Sequence, residues 1–574
     1  MKKYIIPAII FFFILFSFWP TIYEWNSQGR IKPIRFFELV HNFPTDYNFY
    51  LSRIRQGKEG SILANEKYTS EVHDPSLVQV LYVFIGRVSD WVHVQTPYVW
   101  FSYHVMRGFF GVLLLLVTWK LVEWFFDQAQ PQGLSLVWKI VTFLLAVTAS
   151  TWPKFESVDG WPRFGGYMPW YSVIDSLQRI TFLPHVLFGQ ALLVFILWVF
   201  GGGFIKTGRE EDGKKGRIHP GNWVFLGVVG IVEGIVFPPG LLFIYVVLAV
   251  QSILSWSRRN LYPTFIFFVL SAPSMIYYQL LLGQYPWKRL VEFDVLHPTQ
   301  FSYIEYFLAV GPVLPLGLLG TISVLFLSYK QGNNAIMKPL RMLVSWVISW
   351  LGLILLFHFI PEQSPTRFTQ MFPHVPLAIL GCYFFFSLGR TLSKPLVRNP
   401  FTFYLLPFSF FIPILIVLFA LGSMFSSWLW QKDFIDHKLR ADYPAVPHGA
   451  EVMYPLKSII AGLDWLQVYT PRSAVVLSGV TTGNYIPVYA GNTTFIGHAN
   501  TVNSETKEAA VANFYRNRLS EKEEMAWVTS QGIDYIFYGP EERDIAGGLS
   551  DLRSHYPQLK AIYDADSVTI YQVP

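Results

Sequence analysis

Apolar runs long enough to cross a bilayer recur along this chain as far as Trp428, and they restrict its fold more than any other feature. A segment in hydrocarbon must satisfy its backbone N–H and C=O groups internally, which leaves helices and closed barrels, and unbroken apolar runs of this length read as helices. About eleven such runs are present: Tyr4–Tyr23, Tyr98–Val122, Leu136–Ala149, Pro184–Gly201, Trp223–Phe237, Leu241–Trp256, Tyr262–Leu282, Tyr303–Leu327, Met342–Ile360, His374–Leu388 and Phe401–Trp428. Composition excludes a soluble globule: 52% of the 574 residues are hydrophobic and 14% charged, with mean hydropathy +0.36. The expected fold is therefore a polytopic α-helical membrane protein. The first run follows Lys2-Lys3 and has no small-residue cleavage site after it, so it reads as a retained span and not as a signal peptide.

Loop charges set the orientation. With Lys2-Lys3 inside, Lys206 to Arg217, Arg258-Arg259, Lys330 to Arg341 and Arg390 to Arg398 all fall on the cytoplasmic side. This explains the formal charge of +6 as topology and gives no reason to expect nucleic acid. The Lys206–Pro220 loop mixes Lys, Arg, Glu and Gly and reads as a solvated linker. The same topology places outside the membrane the long loop 24–97, the segments Trp152–Arg179, Gly283–Gln300 and Pro361–Phe372, and everything after Trp428. The expected location is the plasma (inner) membrane, multi-pass. Cys382 is the single cysteine and lies in an apolar run, which excludes an intramolecular disulfide and a cysteine-based metal centre. No repeat of fixed period is present, which weighs against a solenoid and against an inverted-repeat transporter.

Within the first external loop, Tyr47, Tyr50, Leu51 and Ile54 stand at helical spacing, which predicts a helix with one apolar stripe, lying along a membrane surface with Ser52, Arg53 and Lys58 mostly on other faces. Thr45 or Asp46 marks its start, and Asp74-Pro75 gives a second start signal. The backbone N–H groups at a helix start favour a charged carboxylate, which suits a base or a metal ligand. The plain alternative is that both acids are caps and nothing more.

Composition changes after Trp430. Leu456–Val468, Glu505–Phe514 and Glu521–Ser530 read as helices, and Ala474–Leu477, Tyr485–Val488, Thr493–Ile496, Tyr535–Tyr538 and Val568–Gln572 as strands. The chain thus divides into a membrane domain, 1–429, and an extracytoplasmic α/β domain, 430–574. The turns at Ser478-Gly479 and Thr482-Gly483-Asn484 do not form a phosphate-cradling glycine loop. Asn492-Thr493-Thr494 matches a glycosylation acceptor on a short motif alone.

Asp46-Tyr47 in a long first external loop, a helix behind it, and His73-Asp74-Pro75 before the second span form a pattern with Phe359-Ile360-Pro361-Glu362-Gln363, Arg367-Phe368, Pro376-Leu377 and the terminal α/β domain. The pattern resembles the GT-C superfamily of membrane glycosyltransferases and is similar, within it, to bacterial relatives of protein O-mannosyltransferases and aminoarabinose transferases. Many of these enzymes have two adjacent acids in the first loop. Here Tyr47 follows Asp46, which bears against a metal site of neighbouring carboxylates. The resemblance implies transfer of a sugar from a polyprenyl-phosphate donor to an acceptor hydroxyl of a glycan, lipid or protein on the external face, with inversion at the anomeric carbon.

That chemistry needs a carboxylate base, and Asp46 is the candidate. It also needs cationic donors for the leaving phosphate, for which Arg367 comes first, ahead of Lys288 and Arg289 and of Arg163 or Arg179. The alternative for any one of these arginines is snorkelling to lipid headgroups. His73, Asp74, Glu362 and Gln363 are candidates for substrate or metal contact. Neither His73 nor His185 has the partner spacing of a zinc site, so a divalent cation is left to Asp46 and Asp74. Asp159, Asp175, Glu292 and Asp294 are further acids at or near the external side, and Glu233 is an acid within a span, where a charge is costly. The competing classes are a transporter or flippase of lipid-linked saccharides and a non-enzymatic cell-envelope assembly protein.

Overall fold

A computed structural model describes the chain apart from residues 1, 42–43, 94–98, 130–135, 159, 169–172, 204–219, 256–257, 299, 332–336, 361–363, 393–399 and 442–452. Asp159, Glu362, Gln363 and nearly all of the Lys206–Pro220 linker fall outside the described residues. The rest divides into two compact units: Met1–Trp19, Arg107–Tyr278 and His297–Trp430 form the first, and Pro20–Met106, Gln279–Leu296 and Gln431–Pro574 the second.

The helices are those of a multi-pass membrane protein. Among the described residues six are long and apolar enough to cross a bilayer: Val99–Gln128, Pro184–Gly201, Pro238–Ser255, Leu261–Leu281, Met337–Phe359 and Phe411–Arg440. Two bent pairs, Tyr4–Ser17 with Trp19–Asn26 and Tyr303–Val310 with Val313–Ser328, raise this to as many as eight, and Leu136–Thr148, Asn222–Val236 and His374–Gly389 are shorter apolar helices on three further expected runs. The run Tyr303–Leu327 is not one straight span, because it bends by 86° at its break. Gly311 makes that corner at φ +77°, and a Cβ there would meet the Ser150 carbonyl oxygen at 1.8 Å, so only glycine fits. The run ending in the sequence at Trp428 continues as helix to Arg440. Leu115, Trp119, Phe143, Leu177 and Met424 meet Ile6, Ile10 and Phe13 in one buried cluster of the first unit.

In the second unit the first-loop helix Pro44–Lys58 is a core element. The surface helix expected from its apolar stripe is not what forms: Ser52, Arg53 and Arg55 are as buried as Tyr47 and Leu51. Partners distant in sequence account for this. Arg53 pairs with Glu66 at 2.7 Å, and Arg55 donates to the carbonyls of Val488 and Tyr489 at 2.7 and 2.6 Å. On another face the helix Val80–Trp91 approaches until Cβ atoms at Gly57 and Gly86 would each meet a carbonyl oxygen, of Val83 and Ile54, at 1.9 Å. The start signal at Asp74-Pro75 does not open that helix, which begins at Val80. Ser76 instead exchanges two backbone hydrogen bonds with Ala64, which holds this stretch extended.

The C-terminal part is α/β. Strands β1 (Val475–Leu477), β2 (Thr493–Thr494), β3 (Tyr535–Tyr538), β4 (Lys560–Ala565) and β5 (Val568–Gln572) form a sheet in the order β2-β1-β3-β5-β4. β1 runs parallel to β2 and β3, while β5 is antiparallel to β3 and β4. Tyr485–Val488, expected as a strand, lies inside the helix Val480–Tyr489. The free N–H groups at that helix start are capped from elsewhere: Glu541 accepts from Thr481 and Thr482, and Glu542 from Gly479. This capping overrides the local strand preference of Tyr, Ile and Val.

Candidate active site

Asp46 lies in the first turn of Pro44–Lys58, and its side chain is 54% exposed while residues 47–57 behind it are buried. Its Oδ1 meets Nε2 of His498 at 3.3 Å, and that histidine is 6% exposed. The geometry fixes the tautomer. Nδ1 of His498 accepts from the Asn500 N–H at 3.1 Å, so the ring proton is on Nε2 and is donated to Asp46. The imidazole stacks on Phe49, with ring centroids 4.6 Å apart and planes 17° from parallel, and it leans on Tyr68. Asp46 and Phe49 are three residues apart and share a helix face, so one histidine covers the second and reaches the first.

A polar knot behind this pair sets its position. Asn484, on Val480–Tyr489, donates through Nδ2 to the Gly497 carbonyl at 3.0 Å and to the Thr45 carbonyl at 3.3 Å. Its Oδ1 accepts from Asn48 at 2.8 Å and its backbone carbonyl from the Tyr68 hydroxyl. One amide thus grips the backbone just before Asp46 and the backbone just before His498. The helix is anchored further along by Arg55, whose guanidinium burial pulls its pKa down, against which Glu59 works. At the hydroxyl end of Tyr489, burial raises the pKa of the Glu38 carboxyl, which accepts from that hydroxyl.

The other candidates are placed as follows. His73 has both nitrogens engaged by backbone: Nε2 accepts from Glu66 N–H at 2.9 Å, and Nδ1 donates to the Glu71 carbonyl at 2.7 Å. Asp74 is exposed in the extended stretch before Ser76. Arg289 is buried, and its guanidinium donates to the Ala499 carbonyl, the Ser504 hydroxyl and the Glu505 carboxylate. Lys288 is exposed and pairs with Glu292 at 3.1 Å, which also accepts from the Tyr285 hydroxyl. In the first unit Arg367 is half-buried on the short helix Thr366–Thr369. Arg163 lies over the Trp430 ring. Arg179 is fully buried, donating to the Val147 and Ala149 carbonyls and to His374, with burial lowering its pKa to about 10. Asp175 caps the helix Ser176–Arg179. Glu233 is fully buried with no hydrogen-bond partner on either carboxylate oxygen among the described residues. No group of three or more His, Cys, Asp or Glu side chains able to hold a metal ion occurs among the described residues.

His498 and Asn484 have no prominence in the sequence. The usable signal was positional: His498 follows a short buried strand in a Gly-His-Ala-Asn turn, and sites in parallel sheets gather at the carboxyl ends of strands.

Solved structures of an archaeal oligosaccharyltransferase resemble this fold along the whole chain. The archaeal oligosaccharyltransferase AglB from Archaeoglobus fulgidus, in complex with an inhibitory peptide and a dolichol-phosphate, superposes over 100% of this chain and 74% of its own, with TM-score 0.53 and 13% identity. The oligosaccharyltransferase of the same organism tethered to an acceptor peptide covers the same shares at TM-score 0.55 and 12% identity. ArnT from Cupriavidus metallidurans bound to undecaprenyl phosphate matches over 98% of both chains at 10% identity, with TM-score 0.48. No family model and no curated protein matches the sequence. The chain thus shares the fold of these archaeal oligosaccharyltransferase structures.

Proposed function

We propose that this protein is a glycosyltransferase that moves a sugar from a polyprenyl-phosphate donor to an acceptor hydroxyl at the external face of the plasma membrane, with Asp46 as general base. The observation that carries the reading is the contrast at Asp46: an exposed carboxylate on a helix whose following residues are buried and tied down. A base needs access to the proton it takes and a fixed place from which to take it. The fold supports the donor class, since the AglB relative was solved with a dolichol-phosphate.

In the proposed step the acceptor oxygen attacks the anomeric carbon as its proton passes to Asp46. The new C–O bond forms while the bond from the anomeric carbon to the phosphate oxygen breaks, and polyprenyl phosphate leaves with the electron pair. One displacement inverts the anomeric centre. The departing phosphate is a weak base and calls for cationic hydrogen-bond donors in place of a proton. Arg367 is assigned to it on chemistry, because its planar fork matches two phosphate oxygens, and Lys288 is the second choice. Arg289 is assigned to holding the segment 499–505, where its donors are engaged. The test is incubation of the purified protein in proteoliposomes with radiolabelled polyprenyl-phosphate sugars and a panel of glycan, lipid and peptide acceptors. Labelled product with release of polyprenyl phosphate is expected. Movement of intact labelled lipid across the bilayer with no product would make the protein a transporter.

A further inference from the structure

We propose that His498 is a positioning residue for Asp46: it holds Oδ1 by an Nε2–H hydrogen bond and so leaves Oδ2 as the atom that receives the acceptor proton. This rests on the reading of Asp46 as the base. Three observations converge on it. The Asn500 N–H on Nδ1 commits the ring proton to Nε2, so the ring faces Asp46 as a donor. The imidazole has little rotational freedom, being 6% exposed and stacked on Phe49 against Tyr68. Its loop is tied to the base's own helix by Asn484, which bonds the Gly497 and Thr45 carbonyls with one amide group. A carboxylate with two equivalent oxygens and a free χ2 torsion would sample many orientations. One fixed donor on one oxygen selects one of them.

The pair therefore divides its work. Asp46 takes the proton, and His498 keeps its Nε2–H on Oδ1. His498→Phe removes the donor but keeps a ring to stack on Phe49, and His498→Gln returns an amide N–H from a flexible chain. His498→Phe is expected to lower kcat roughly tenfold or more with KM for the lipid donor unchanged, as misplacement of a catalytic group does. His498→Gln should recover most of that loss. In an Asp46→Asn background the Phe substitution should have no further effect, which general damage to the fold would not reproduce. Thermal unfolding accompanies each assay, and if the Phe protein does not fold, the Gln protein and its Asp46→Asn double variant give the same comparison. A wild-type kcat for His498→Phe beside an inactive Asp46→Asn would overturn the positioning role and leave the base intact. Full activity in Asp46→Asn alone would overturn both. An equal loss from His498→Phe with and without Asp46 would make the histidine structural.

Discussion

The stretch from Ala64 to Ser76 and the turn from Phe495 to Thr501 each carry one histidine beside the same helix, and the two rings are used in opposite ways. His73 spends both nitrogens on backbone, accepting from Glu66 and donating to Glu71, and so shapes the loop that presents Glu66 to Arg53. His498 spends one nitrogen on backbone and keeps the other for a side chain that is half open to solvent. The ring that stands out in sequence, beside an acid and a proline, is thus fully occupied by its own loop. The ring in an unremarked turn is the one that meets the exposed acid. What separates a structural from a functional histidine here is where the second nitrogen points, which no local sequence pattern encodes.

Breaking the closed side of the comparison should have the largest effect on stability. Arg53→Met leaves the Glu66 carboxylate buried without its cation and should destabilise the second unit by about 3–5 kcal/mol, measured by chemical unfolding. His73→Ala strands the Glu66 N–H at a smaller cost, about 1–2 kcal/mol, and should leave turnover per folded molecule unchanged. His498→Phe should show the reverse pattern, with turnover lost and stability nearly kept. If His73→Ala lowers turnover as much as His498→Phe, the contrast between the two rings fails.

A subtler effect concerns the capping of the helix that carries Asn484. Burial, aided by the neighbouring Glu541, pushes the pKa of Glu542 up to about 8. A carboxyl raised in the folded state contributes stability that is complete below its unfolded pKa, near 4.3, and is lost as pH rises through about 8. Wild-type Tm should therefore fall between pH 6 and pH 9, on the order of a few degrees. Glu542→Gln, which cannot ionise, should start lower for want of one acceptor but lose this part of the pH slope. An unchanged slope in the variant would detach Glu542 from it.

Much of the architecture was readable because it rests on local pattern. The apolar runs identified the helices, and the residues at Lys457–Tyr469, Val475–Leu477, Ser504–Tyr515 and Glu521–Ser530 formed the expected elements, since each is specified by its local pattern and the last also by a Ser520 capping box. Asp46 was legible as an acid at a helix start. Its setting was not. The contact with His498 spans 452 positions and the Arg55 contact with Val488 spans 433, so a helix that looked amphipathic by composition is buried by partners its own window cannot reveal. The same holds for Tyr485–Val488, whose helix is capped by acids some 60 residues later.

The central claim is that Asp46 supplies the base, and the most direct test is Asp46→Asn assayed for transfer and for donor binding in the same membranes. Asparagine keeps the size and the hydrogen-bonding oxygen, so the helix start should hold and stability should change by no more than a few tenths of a kcal/mol, about the scale of swapping one good cap for another. The account predicts a fall in turnover of roughly a hundredfold or more, with equilibrium binding of the radiolabelled polyprenyl-phosphate sugar retained. Wild-type transfer by the asparagine variant would contradict it and reduce Asp46 to a helix cap.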